Sequence, residues 1–112
     1  MKKDVEMATA TWPGLSGRKY TYDIYELSTT WNDVAGNYIF AKQVPGGWRA
    51  SYVGETNSFQ NRFSNHEKWA SARNDGATHV HAHTTPGGDA VRKAEEADLV
   101  GQLQPPCNDR LR

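Results

Sequence analysis

Glu96 is a carboxylate on the apolar side of a predicted helix. The pattern over Asp89–Leu103 predicts this helix, and residues three, four and seven positions apart on a helix share one face. By that spacing, Glu96 shares its face with Leu99, Val100 and Leu103. A charged group beside an apolar stripe loses solvation and is rarely kept there without a partner or a chemical task. Glu96 is therefore the first candidate for a functional residue.

The neighbours of Glu96 on the helix carry two further expectations. Glu95 lines up with Asp98 and Gln102, and this side of the helix is predicted to face water. Arg92 lies one turn before Glu96 and could pair with it at i, i+4, but the order of the two charges is unfavourable relative to the helix dipole. Pairing with Arg92 is therefore a weak explanation for the Glu96 carboxylate.

Four other polar side chains could converge with Glu96. Tyr38 and Tyr52 lie on the two arms of a predicted β-hairpin, and Arg62 and His66 lie near the inward edge of the helix predicted after it. A Glu can hold Mg²⁺, an Arg matches a phosphate with its planar fork, and a Tyr or His can move a proton. These are the parts needed to hydrolyse a phosphodiester bond. Each also has an ordinary explanation when taken alone, as a strand aromatic or a helix-edge residue.

The strands that would position these residues are predicted by short apolar or alternating runs. Residues 37–43 and 48–53 flank the turn signal Pro45-Gly46-Gly47, which predicts the hairpin. Residues 20–26 and 77–84 alternate as two further strands.

Two helices are predicted to follow the hairpin, one before and one after the strand over residues 77–84. Asn57 and Gln60 are spaced as in a capping box at the start of the first helix, which continues at helical spacing to Ala70. Asp89 is expected to cap the second helix, and Pro105-Pro106 to end it.

The predicted fold class is therefore α+β: a small central antiparallel three-stranded sheet flanked by helices, with an extra N-terminal strand or arm. Residues 1–19 are polar and punctuated by Gly and Pro. They are expected to form a loose arm or an irregular cover, and residues 20–112 are expected to form the functional domain.

The composition limits the classes of function. A chain of 112 residues fits one domain, and its 13 basic and 13 acidic residues cancel. That balance argues mildly against a general nucleic-acid coat protein, but not against an enzyme with a small cationic pocket. No apolar run reaches membrane-spanning length, so no membrane partner is expected. The single Cys107 fits a reducing cytoplasm, the expected location, and is interpreted as structural.

Four motifs occur in a fixed order between residues 36 and 108. The first two are the tripeptides Gly36-Asn37-Tyr38 and Tyr52-Val53-Gly54. The third is Phe59-x-x-Arg62-x-x-x-His66, and the fourth runs from Glu96-x-x-Leu99-Val100 to Pro105-Pro106-Cys107-Asn108. In order and spacing these motifs resemble those of the GIY-YIG endonuclease superfamily.

The resemblance implies a role for each motif residue. Glu96 would be the metal ligand, for Mg²⁺ or Mn²⁺, and Arg62 the phosphate clamp. Tyr38 would activate the attacking water, and Tyr52 would line the same site. His66 would assist proton transfer or hold a phosphate.

Asn108 would close the site by fixing the local backbone.

Two positions of this sequence depart from the family pattern. Asn37 replaces an aliphatic residue. Glu55 stands where some relatives carry a functional Lys, which removes a proton carrier or phosphate contact and could instead add a metal contact.

The leading hypothesis is a metal-dependent endonuclease that hydrolyses DNA phosphodiester bonds, with target choice set by DNA structure or by a protein partner. The alternative is a catalytically inactive nucleic-acid-binding or protein-interaction module of the same fold, which the neutral net charge favours slightly. The oligomeric state stays open.

A third reading concerns the three histidines at alternate positions of the strand over residues 77–84. His79, His81 and His83 share one face of that strand, and such a set could bind zinc or nickel. The simpler alternative is the polar face of the strand, with Val80 and Ala82 on the buried side.

Overall fold

The computed structural model describes residues 8–108 and confirms the α+β class. Residues 1–7 of the expected arm and residues 109–112 of the expected domain lie outside the described part. In chain order the elements are β1 (Thr9–Pro13), β2 (Lys19–Glu26), β3 (Gly36–Val44), β4 (Gly47–Thr56), α1 (Phe59–Phe63), α2 (Trp69–Asp75), β5 (His79–Thr84) and α3 (Asp89–Leu103).

The prediction of a three-stranded sheet is wrong, because five strands form one sheet in the order β1-β2-β5-β3-β4. All neighbouring strands run antiparallel. The central strand β5 pairs with β3 on one side and with β2 on the other, where Ile24 lies opposite His81. Strand β1 then adds to β2 and brings Trp12 opposite Tyr20. Part of the expected arm is therefore an integral edge strand.

The predicted hairpin is confirmed as β3 and β4. Its register shifts between Phe40 and Ala41, because Phe40 lies opposite Tyr52 while Ala41 lies opposite Ala50. Ser51 is the extra residue of this β-bulge. Strand β4 runs over Gly47–Thr56 and so extends beyond the predicted residues 48–53 at both ends.

The two faces of the sheet carry separate cores, since alternate residues of a strand point to opposite faces. Helix α3 covers one face, over a cluster of buried residues made of Trp12, Tyr22, Ile39, Ala41, Ala50, Val53 and Leu99. Helices α1 and α2 cover the other face, over Tyr38, Phe40, Phe59, Ala72, Ala77, Val80 and Ala82.

The single helix predicted after the hairpin is two short helices. Ser58, not Asn57, is the N-cap of α1, and its side chain accepts a hydrogen bond from the Asn61 N–H. The Ser64 hydroxyl then donates to the Asn61 carbonyl at 2.8 Å. Such local side-chain bonds compete with helix continuation, and the helix ends at Phe63. Residues 64–68 form a turn before α2.

The last helix has the predicted bounds, Asp89–Leu103, but not the predicted cap. Gly88 is the N-cap residue, and Asp89 is the first residue inside the helix. Gln104 ends the helix in the left-handed conformation just before Pro105. Within residues 8–108, no helix is long and apolar enough to cross a membrane.

Candidate active site

The first tripeptide motif places Tyr38 on β3, directly opposite Gly54 of the second motif on β4. The Tyr38 side chain is 1% exposed and lies over the Gly54 backbone. A Cβ at position 54 would collide with the Oη and Cζ atoms of Tyr38. The glycine of the second motif is therefore what lets this phenol lie across the hairpin.

His66 lies in the turn between α1 and α2 and contacts Tyr38. Its Nε2 atom is 2.6 Å from Tyr38 Oη, and its Nδ1 atom accepts a hydrogen bond from the Lys68 backbone N–H at 3.0 Å. A ring nitrogen that accepts carries no proton, so neutral His66 has its proton on Nε2 and donates it to Tyr38. Burial, together with the charge of Arg62, lowers the pKa of His66 to about 4.

Tyr52 and Arg62 belong to the same group of side chains. The Tyr52 ring centroid lies 6.1 Å from that of Tyr38 and 5.2 Å from that of His66. Burial raises the pKa of both phenols above the ordinary value of 10, and the guanidinium of Arg62 opposes the rise in both. Both tyrosines therefore keep their protons at neutral pH.

Arg62 has a partner that the sequence did not predict. Its two terminal nitrogens donate to the two carboxylate oxygens of Glu67, at 2.8 and 2.9 Å. Glu67 is largely exposed, with 66% of its side chain accessible, and the hydrogen bonds from Arg62 lower its pKa to about 2. The Arg62 fork is therefore already set in the geometry that binds a bidentate oxyanion.

Glu96 lies half-buried on α3. Burial raises the pKa of its carboxyl group, and the negative charge of Glu55 raises it further. The Glu96 charge in turn raises the pKa of Tyr38 and Tyr52, so the carboxylate lies within electrostatic reach of both phenols. Among residues 8–108, none donates a hydrogen bond or forms an ion pair to Glu96.

Arg92 does not satisfy Glu96, in agreement with the unfavourable order of their charges. Its Nε atom donates to Glu55 Oε1 at 3.1 Å, and its Nη2 atom lies 3.6 Å from Asp89. The backbone carbonyl of Arg92 accepts from the Asn37 amide at 3.0 Å. Asn37 is fully buried, and its amide therefore binds α3 to the sheet.

Asn108 fixes the backbone of β4. Its side-chain oxygen accepts from the Val53 N–H and its side-chain nitrogen donates to the Val53 carbonyl, both at 2.8 Å. The backbone N–H of Cys107 also donates to the Ser51 carbonyl at 3.0 Å. Asn108 thereby holds the strand segment that carries Tyr52, while its own side chain stays bonded to backbone.

Glu95, predicted to face water, is instead 7% exposed. Its Oε2 atom accepts from the Tyr22 hydroxyl at 2.6 Å and lies 2.6 Å from His83 Nε2. His83 Nδ1 lies 3.0 Å from the Thr21 carbonyl oxygen, so both ring nitrogens face acceptors. Burial alone would lower the pKa of His83, but the hydrogen bond and charge of Glu95 outweigh it and raise the pKa.

The alternating histidines of β5 lie on the face covered by α3, away from Tyr38. His81 is fully buried rather than part of a wet face. Its Nδ1 accepts from Trp12 Nε1 at 3.1 Å, and its ring packs edge-on to Trp48 with centroids 4.5 Å apart. In the part of the chain that the structure describes, no three His, Cys, Asp or Glu side chains are grouped to hold a metal ion.

No protein-family model matches the chain, and no match is found among curated proteins or solved structures. The functional assignment therefore rests on the order of the motifs and on the geometry of the side chains they bring together.

Proposed function

We propose that the chain is a metal-dependent endonuclease that hydrolyses DNA phosphodiester bonds through a GIY-YIG-type site. The site comprises Tyr38, Tyr52, Arg62, His66, Glu96 and Asn108. The observation that carries the proposal is Glu96: a half-buried carboxylate without an ion-pair partner among the described residues, whose charge acts on the phenols of Tyr38 and Tyr52.

Arg62 is the residue suited to the scissile phosphate. Its planar fork holds the two oxygens of Glu67, and a phosphate presents oxygens in a similar arrangement. Because Glu67 is exposed, a phosphate can replace it without a buried carboxylate being left unpaired. The guanidinium would then offset negative charge that grows on the phosphoryl oxygens in the transition state.

Tyr38 is the residue suited to orient the attacking water. His66 donates to the Tyr38 oxygen, so the phenolic hydrogen is left to bond with another acceptor. A phenol with a raised pKa is a poor base on its own. The form that accepts a proton is the phenolate, which forms more readily when positive charge is nearby, and Arg62 acts in that direction. His66 is a positioning residue in this scheme, because its proton is committed to Tyr38.

The carboxylates present fit a divalent cation with few protein ligands. Mg²⁺ is usually held by one or two carboxylates, with waters and substrate phosphate oxygens in the other positions. Glu96 supplies one carboxylate, and the negative charge of Glu55 is near enough to raise its pKa. When bound, Mg²⁺ or Mn²⁺ would polarise the phosphoryl group and lower the pKa of a coordinated water.

Substitution Glu96→Gln tests the proposal, because it removes the charge and keeps the shape. Supercoiled plasmid is incubated with Mg²⁺ or Mn²⁺ at low salt, since the chain has no net positive charge. Nicking should fall on the order of 10³-fold, while thermal unfolding stays cooperative. Glu26→Gln, at an exposed position at the end of β2, is the matched control and should nick normally.

Two results would count against this function. Unchanged nicking by Glu96→Gln would remove its assigned role. Wild-type protein that binds DNA but nicks neither supercoiled nor branched substrates with either cation would favour the alternative, a non-catalytic nucleic-acid-binding module.

A further inference from the structure

A partly open cavity of about 350 Å³ lies on the face of the sheet that carries Tyr38. Its walls include four aromatic side chains, one from the connection between β2 and β3 and one each from β3, α1 and α2: Trp31, Phe40, Phe63 and Trp69. Trp69 packs edge-on to Phe40, with centroids 4.7 Å apart, and Trp31 packs against Phe63, also at 4.7 Å. These contacts hold the rings in place around the space.

His66 joins this cavity to the candidate active site. It lines the cavity and contacts Tyr38 Oη through Nε2. Phe63 likewise lines the cavity and follows Arg62 directly on α1. Arg62 binds Glu67, the residue after His66, so a phosphate that took the place of Glu67 would bring the next chemical group of its ligand close to His66 and the cavity.

The polar groups of the cavity are uncharged. Thr29, Ser64 and Asn65 contribute hydroxyl and amide groups, and the described lining contains no Asp, Glu, Lys or Arg. His66, its one titratable member, is neutral at pH 7 because burial lowers its pKa to about 4. The cavity therefore suits a neutral, flat group with hydrogen-bonding edges, and not a second phosphate.

The volume agrees with a small flat group. At about 350 Å³ the cavity lies at the low end of ligand pockets, which span roughly 300–1,000 Å³. That is too small for a folded peptide segment or a lipid chain of ordinary length. Aromatic walls of this kind bind nucleobases by stacking, whatever the base, because every base presents a π face.

We propose that this cavity receives one unpaired base of the DNA strand, stacked on Trp69 and bordered by Trp31, while the adjoining phosphate lies on Arg62. The proposal rests on the proposed function and narrows its substrate class. A base inside a duplex is already stacked and paired, so it must be unpaired or flipped out before it can enter. The preferred substrates are therefore DNA strands with unpaired bases, such as single strands, mismatches or branch points.

The first test measures base stacking directly, on the Glu96→Gln protein without divalent cations, so that the probe is not cleaved. The probe is a short single-stranded oligodeoxynucleotide containing 2-aminopurine, whose emission falls when its ring stacks. We expect emission to fall when protein is added. It should not fall when the same probe is annealed into a perfect duplex. An oligonucleotide of equal charge with abasic sites should bind more weakly, and equal binding would overturn the proposal.

The second test uses the positions of the tryptophans. Trp69→Ala should weaken binding of the single-stranded probe about tenfold, within the range that stacking of one base supplies. Trp48→Ala is the matched control, because Trp48 packs on the opposite face of the sheet with His79 and His81. Thermal unfolding checks that both variants fold. Equal losses in the two variants, or none in Trp69→Ala, would reject the cavity as the base site.

These outcomes separate the base site from the hydrolase activity. Base stacking without nicking by the wild-type protein would support the cavity and reject hydrolysis. Nicking without base stacking would reject the cavity and leave hydrolysis standing. If Trp69→Ala does not fold, the comparison of 2-aminopurine and abasic probes on Glu96→Gln still decides the question.

Discussion

Substitution Gly54→Ala should damage both the stability of the hairpin and the candidate active site. The added Cβ would lie 3.0 Å from Tyr38 Cε1 and closer still to its Cζ and Oη atoms. Tyr38 cannot simply move aside, because its ring is buried and packs edge-on to Phe63 with centroids 4.8 Å apart. Either the phenol or the strand must shift.

The expected size of the effect follows from this overlap. Forcing an extra carbon into a well-packed core costs about 1–3 kcal/mol, which for a domain of this size lowers Tm by roughly 4–12 °C. A displacement of the phenol by about 1 Å should cost on the order of 10²-fold in nicking rate. The Tyr38–His66 hydrogen bond should lengthen as well.

Gly47→Ala is the matched control on the same strand. A Cβ there meets nothing within 4 Å, so its Tm and nicking rate should stay close to those of the wild type. Thermal unfolding and plasmid nicking are measured on both variants. If Gly54→Ala and Gly47→Ala behave alike in both assays, the phenol is not held across the hairpin in the way described.

Two further predictions concern charge. Glu67→Gln should raise affinity for a single-stranded oligonucleotide at low salt, measured by fluorescence anisotropy, because it releases Arg62 from a bidentate partner; unchanged affinity would show that Glu67 does not compete with phosphate. The free energy of unfolding should fall between pH 6.5 and pH 4, because burial lowers the pKa of His66 and His81 to about 4 and the unfolded chain takes up protons that the folded chain excludes. Urea unfolding at stepped pH should show this loss, on the order of 1–3 kcal/mol for each histidine and smaller for the partly exposed His66 than for the buried His81, and a slope that His66→Gln leaves unchanged would contradict this assignment.

The parts of the fold that depend on local pattern could be predicted. The hairpin follows from two apolar runs around Pro45-Gly46-Gly47, and α3 follows from a long helical periodicity. The five-stranded sheet could not be predicted in this way. Strand β1 is only five residues long, and Trp12 is its one buried residue. β1 pairs with β2, and β2 joins the rest of the sheet only through β5, which lies far along the chain.

Helix breaks were also hard to predict from periodicity. Phe59, Phe63 and His66 have helical spacing, yet Ser64 bonds back to the Asn61 carbonyl and the chain turns before α2. The apolar period matches the side chains that face the sheet, whereas the break is set by polar side chains between them.

The error over Glu95 has a different cause. Helix α3 is rich in alanine and its apolar stripe is narrow, so several faces could dock on the sheet. The face that does dock includes Arg92, Glu95 and Leu99. Glu95 can be buried because Tyr22 and His83 are hydrogen-bonded to its carboxylate. Tyr22 is 73 positions away in the chain. Burial of a charge by distant partners leaves no signal in local sequence.

The motif residues could be identified from the sequence, but some of the side chains that they contact could not. The structure brings Tyr38, Tyr52, Arg62 and His66 together, and the pairing of Arg62 with Glu67 was missed. An acid five positions after an Arg matches no helical spacing. It meets Arg62 only because the helix ends between them.

The bonds from Asn108 to Val53 have a consequence for self-association. Strand β4 is the outermost strand on its side of the sheet, and an outer strand with free N–H and C=O groups is a template on which other chains can add. The Asn108 amide occupies both backbone groups of Val53, and the Cys107 N–H occupies the Ser51 carbonyl. Residues 107–108 therefore block the addition of another chain at this part of the β4 edge, and this protects against aggregation independently of their place in the candidate active site.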